Sequence, residues 1–64
     1  MSITATRAAI NTIMEDEELL EYVVAILCAN TAQEMGGWLE ANGHIREAAP
    51  VDWDYVEEWL NDSL

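Results

Sequence analysis

The chain contains no lysine and no phenylalanine, and only one proline, one cysteine and one histidine. Each scarcity closes a route. A single cysteine, Cys28, excludes a disulfide within the chain. A structural zinc site takes four nitrogen or sulfur ligands, and Cys28 and His44 cannot supply them. One histidine beside Gly43 gives no nucleophile–base–orienter triad, so hydrolytic catalysis of that kind is not expected. With Arg7 and Arg46 as the only basic side chains, the chain lacks the cations that hold phosphate groups. Direct binding to nucleic acid or to an anionic membrane surface is therefore not expected. No apolar run approaches the ~20 residues needed to cross a bilayer; the longest, residues 22–29, has eight. The first residues lack the basic, apolar and small-residue order of a secretion signal, which together with the lone cysteine points to the cytoplasm.

What remains is small, apolar and acidic. Sixty-four residues make one domain, 1–64. A chain of this size buries only ~60% of the surface it exposes when unfolded, so its stability is marginal. Disulfides and metals being excluded, reinforcement must come from good helix packing, self-association as a homodimer, or a heterologous partner. The hydrophobic fraction is 52% and includes Trp38, Trp53, Trp59, Tyr22 and Tyr55, too apolar for a disordered tail. There is no internal repeat.

The residue pattern predicts helix nearly throughout. A first segment covers about Thr4 to Met14, started by Ser2 or Thr4, with Ile3, Ile10, Ile13 and Met14 as its apolar stripe. A second runs from about Asp16 to Ala29. Acids crowd its first turn, where the helix dipole favours them. Leu19, Leu20, Val23, Val24, Ile26 and Leu27 then cover more than one face, the mark of a central helix contacted from several sides. A strand over 22–27 is the competing reading, disfavoured by the acidic lead-in. Asn30 or Thr31 begins a third segment, with capping boxes to Gln33 or Glu34 and a buried face of Ala32, Met35 and Leu39. Gly36 and Gly37 interrupt its pattern, so it reads as either a weak helix or two short pieces, and Asn42-Gly43 is expected to stop it. His44 to Ala49 reads as a further short turn ended by Pro50. Asp52 caps a fourth segment from Trp53 to about Asn61, buried through Trp53, Val56, Trp59 and Leu60. The expected fold is all-α, a compact bundle of three or four short helices.

Several motifs fail on inspection. Cys28 lies within the apolar run of segment two and reads as a buried structural thiol. Carboxylates abound, but none is set apart by burial for acid–base work. Asp52-x-Asp54 opens like a calcium loop, yet Glu57 stands where glycine is needed and Ser63 where glutamate is needed. The helix–turn–helix spacing across 16–42 lacks the cations of a DNA reader. The expectation is a binding protein, not an enzyme, with no catalytic residues, metal or cofactor. Trp53, Val56, Trp59 and Leu60 read as core rather than as a groove-binding face.

The acids themselves are informative. There are thirteen, for a net charge of −11, and none precedes Glu15. Asp54, Glu58 and Asp62 recur at i, i+4 and i+8 with Glu57 beside them, while Glu17 and Glu21 are i, i+4 with Glu18 alongside. Carboxylates one helical turn apart stand about 5–6 Å from each other at Cβ, close to the ~7 Å between phosphates along one DNA strand. Like charges at this spacing destabilise a helix. A folded protein of this mass exposes roughly 4,100 Å², or about one charge per 370 Å²; duplex DNA carries about one per 110 Å². Imitation of DNA therefore requires concentration of the acids on one side.

In size, absence of lysine and acidic ribbons at Glu17/Glu21 and Asp54/Glu58/Asp62, the chain resembles phage-encoded DNA-mimic inhibitors, including acidic anti-CRISPR proteins. The resemblance covers charge pattern and size and includes no family motif. It implies a stoichiometric inhibitor whose acidic face occupies the DNA site of a bacterial defence complex in the host cytoplasm. The partner surface would comprise Glu17, Glu18, Glu21, Asp54, Glu57, Glu58 and Asp62, and the partner would be a basic, nucleic-acid-handling protein. The acid-free first segment would serve as core or as a self-association surface. The alternative is an acidic helical adaptor or chaperone for a basic protein, and a third reading is a small structural homo-oligomer.

Overall fold

A computed structural model describes residues 2–63. Four helices follow one another: α1 (Ile3–Met14), α2 (Glu17–Ala29), α3 (Ala32–Ala41) and α4 (Trp53–Ser63). No strand occurs among the described residues, so 22–27, the alternative strand, is helix. Four side chains set the starts. Ser2 Oγ accepts the Ala5 N–H and Asp16 Oδ1 those of Glu18 and Leu19. Thr31 Oγ1 accepts the Glu34 N–H and Asp52 Oδ1 that of Tyr55. Each satisfies amides that a helix start leaves without partners. The end of α3 is a Schellman turn. Gly43, at φ 75°, donates to Glu40 O and His44 donates to Leu39 O.

The helices form a ring in which α1 packs on α2, α2 on α3, α3 on α4 and α4 on α1. All four feed one core, whose largest fully buried members are Ile13, Val23, Met35, Leu39, Val56 and Leu60. The molecule measures 24 × 23 × 22 Å. A helix of α2's length is itself about 20 Å, close to the width of the molecule, and each of the four helices keeps an exposed face. α2 is thus not the central helix its apolar breadth implied. Only Leu19 and Val23 are buried, while Leu20, Val24, Ile26 and Leu27 are half-buried.

Other expectations are corrected by the same geometry. α1 buries Thr6, Ala9, Ile10 and Ile13, leaving Ile3 and Met14 on an exposed flank. Of the two readings of α3, a single helix through both glycines is the one observed, and the two-piece alternative is not. Gly36 is a contact point. The Trp53 indole lies against its backbone, and a Cβ there would stand 2.5 Å from Nε1 and 2.7 Å from Cδ2. Trp53 is buried, and its Nε1–H donates to Ala48 O at 2.9 Å. Trp59 packs on the core edge and is only half-buried.

The start of α1 is tied to the start of α4. The Ser2 N–H donates to Pro50 O at 2.6 Å. The buried Thr6 hydroxyl donates to Ser2 O at 2.7 Å and accepts from the Asp52 N–H at 2.9 Å. This bond between residues far apart in the chain fixes the point from which the acidic helix α4 departs.

Candidate functional site

Helix α4 buries Trp53, Val56 and Leu60, which fall within one narrow arc of its circumference. Asp54, Glu58 and Asp62 occupy the opposite arc and are exposed, forming an outward ribbon one carboxylate per turn. Glu57 lies beside the buried arc and is half-buried. The ribbon is tethered to α3 near its start, where Gln33 Nε2 donates to Asp54 Oδ1 at 3.4 Å.

Helix α2 carries the second group. Glu17, Glu18 and Glu21 are exposed, on the side away from Leu19 and Val23. Cys28 is exposed too, contrary to its reading as a buried thiol. It stands seven residues after Glu21 and eleven after Glu17, a spacing that returns to the same helical face. An apolar run as long as 22–29 winds around the whole helix, so membership of the run does not decide which members are buried.

The two acidic groups sit on helices that are not neighbours in the ring, and no hydrogen bond joins one group to the other among the described residues. The structure therefore carries the two outward acidic groups on separate helices, with α3 and its exposed Glu34 and Glu40 between them in the ring. The accessible surface is 4303 Å² for a net charge of −11, about one charge per 390 Å² on average against about one per 110 Å² for duplex DNA.

The acids divide by what they do for the fold. Asp16 and Asp52 are caps. Glu17, Glu18 and Asp54 lie in first turns, where the exposed amide dipoles favour anions. Glu21, Glu58 and Asp62 have no such support. Asp62 lies near the end of α4, where the dipole disfavours an anion, and no basic side chain occupies that last turn. Glu58 stands between two like charges at i−4 and i+4.

One arrangement was invisible in the sequence. Tyr22, exposed on α2 between Glu18 and Ala25, stacks on Trp38 of α3 at 6.1 Å between ring centroids. Trp38 stacks on His44 at 5.4 Å. The three come from two helices and a loop and share no period, so no pattern search joins them. They place an aromatic column beside Glu18 and Glu21, a setting that attracts cations both through charge and through ring faces.

Among the described residues no group of three or more His, Cys, Asp or Glu side chains is placed to hold a metal ion. No helix is long and apolar enough to cross a membrane among those residues. Comparison with protein-family models, with curated proteins and with solved structures finds no match.

Proposed function

We propose that the protein is a stoichiometric inhibitor of the DNA-mimic type, similar in role to phage-encoded acidic anti-CRISPR proteins. It binds a basic, nucleic-acid-handling complex of the host cytoplasm and catalyses no reaction. The observation that carries this reading is the ribbon Asp54–Glu58–Asp62. It is exposed and stands on a helix pinned at its start, and two of its members oppose helix stability. Carboxylates kept where they weaken the helix are accounted for by a partner lined with Lys and Arg, which they attract and meet. Glu17, Glu18 and Glu21 provide a second such surface, and Glu57 adds to the edge of the first.

A second reading, an acidic adaptor for a basic protein partner, draws support from the column Tyr22–Trp38–His44 beside Glu18 and Glu21. That surface suits Lys or Arg side chains with no reference to DNA. One competition titration separates the two. Labelled duplex DNA bound to a DNA-handling defence complex is titrated with wild-type protein and with the triple variant Asp54→Asn, Glu58→Gln, Asp62→Asn. Mimicry requires that the wild type displaces the DNA, that the complex weakens with salt, and that the triple variant fails while remaining folded. If saturating wild-type protein leaves the DNA in place, occupation of the DNA site is wrong. If the variant binds as well as the wild type, the α4 ribbon is not the contact.

A further inference from the structure

The face opposite in character to the acidic ribbons is the seam between α1 and α4. α1 is the one helix of the four without a carboxylate. Ile3, Arg7 and Met14 fall on one flank of it, at spacings of four and seven residues. Ile3 is 75% exposed and Met14 58%, the exposed large apolar side chains of that helix. Across the seam stands Tyr55 of α4, 54% exposed. Ser2, Ile3, Thr6, Arg7, Asp52 and Tyr55 line an open groove of about 400 Å³ there. Ile3 and Tyr55 meet at this groove, so their exposed apolar surface is gathered in one place rather than scattered.

Charge selects the occupant. A basic protein is drawn to the carboxylate ribbons and repelled by Arg7. A second copy, itself at −11, is repelled by every face that carries carboxylates and meets least repulsion at α1. The groove is also complementary to itself, since it holds one cation, Arg7, and one anion, Asp52, among apolar side chains. Two-fold symmetry brings residue i of one copy to residue j of the other and j to i, so a single Arg7–Asp52 match is made twice. We propose that the protein forms a two-fold dimer across this seam. Ile3, Tyr55 and Met14 are buried between the copies, and Arg7 of each pairs with Asp52 of the other. Helix α1 forms the centre of the contact, and the α4 ribbon, which neighbours Tyr55 at i, i+3 and i, i+7, lies at its rim. This proposal is independent of what the ribbons bind.

The size of the contact sets the expected strength. The smallest specific interfaces take about 600 Å² from each partner, about a seventh of this chain's 4303 Å². Together with the residual repulsion this places Kd in the range of about 1–100 μM. Screening of the distant carboxylates tightens the dimer as salt rises from about 20 to about 200 mM.

Sedimentation equilibrium of the full chain, from about 1 μM to about 1 mM, spans that range. Two variants test the seam. Arg7→Glu reverses its cation at an exposed position. Ile3→Asp puts a carboxylate in the seam at the first turn of α1, where the helix dipole welcomes it, so folding is retained. Each is expected to raise Kd roughly 100-fold, about tenfold for each of the two symmetry-related contacts. Glu34→Gln, exposed on α3, the helix that does not pack on α1 in the ring, should leave Kd unchanged. Wild-type dimer with both seam variants monomeric and helical by circular dichroism supports the proposal. A wild type that is monomeric at every concentration overturns it and leaves the seam to a different protein. A dimer that persists in both variants overturns it as well, since the contact then lies elsewhere.

Discussion

Gly36 and Gly37 stand side by side in α3, and their replacement by alanine should move stability in opposite directions. Inside a helix, alanine is favoured over glycine by about 0.5–1 kcal/mol, because glycine loses more backbone freedom on folding. At Gly37 a Cβ meets nothing within 4 Å, so Gly37→Ala should realise that gain in full. At Gly36 the same Cβ falls within the Trp53 indole, 2.5 Å from Nε1 and 2.7 Å from Cδ2. These atoms belong to the fused part of a buried, rigid ring, which cannot rotate aside. Forcing them apart costs about 1–3 kcal/mol of overpacking. The ring's N–H, bonded to Ala48 O at 2.9 Å, is displaced with it, and a buried donor left unpaired costs about 1–3 kcal/mol. After the helix gain is subtracted, Gly36→Ala should destabilise by about 1–5 kcal/mol. The total stability of a domain of this length is only about 3–10 kcal/mol.

Urea unfolding followed by far-UV circular dichroism measures both changes. Placing Gly36→Ala in the Gly37→Ala background keeps the weaker protein within the measurable range. A further arm isolates the cause. With Trp53 replaced by leucine the indole is gone, and the added penalty of Gly36→Ala should largely vanish, a coupling that a double-mutant cycle reads directly. Equal stabilisation by both alanines would refute the packing of Trp53 on α3. A penalty at Gly36 that persists without the indole would refute the clash as its source.

The two tryptophans of α4 should differ in the same assay. Trp53→Ala removes a buried ring and should cost about 3–5 kcal/mol, whereas Trp59→Ala at the half-buried edge should cost visibly less, and the reverse order would refute their placement. Raising salt from about 20 to about 200 mM should raise the melting temperature, since it screens repulsion among carboxylates that the fold holds close; a flat or falling curve would mean those charges are already compensated. The exposed Cys28 should react with iodoacetamide in the folded protein as fast in buffer as in a stabilising osmolyte, and a rate that falls as the fold is stabilised would show that the thiol is reached only by unfolding.

Most of the fold is legible in local chemistry. Ser2, Asp16, Thr31 and Asp52 are side chains that can accept from helix-start amides, and each is used in that way. Asn42-Gly43 stops α3 because glycine takes the positive φ of a Schellman turn without strain. The difficulty begins where burial depends on what lies across the core. The spacing of Cys28 from Glu17 and Glu21 places it on the acidic face, but its residue type argued for burial, and the type was the weaker guide. Gly36 reads as a helix breaker until Trp53 is seen beside it, seventeen positions later in the chain. The Tyr22–Trp38–His44 column is wholly a product of the packing of α2 on α3 and of the turn that follows α3. Among the candidate partner residues, exposure of Glu17, Glu21, Asp54, Glu58 and Asp62 follows from their spacing relative to the buried stripe. Their division between two non-adjacent helices follows only from the ring order.

That division changes how the proposed mimicry must work. Averaged over the whole surface, the protein carries less than a third of the charge density of DNA, and the two ribbons stand on separate helices. A partner does not sense the average, however. At physiological ionic strength a charge is felt over about 8 Å, so a lysine- or arginine-lined site responds to the carboxylates directly before it. Along α4 those recur every turn, about 6 Å of helix axis for four residues, somewhat closer than successive phosphates on one DNA strand. Asp54, Glu58 and Asp62 thus reproduce a short run of one strand, about 12 Å from first to last, not a duplex. On the proposed reading each ribbon engages one strand-binding track of its target. Loss of the α4 ribbon should then abolish competition with DNA at that track, even though Glu17, Glu18 and Glu21 on α2 remain intact.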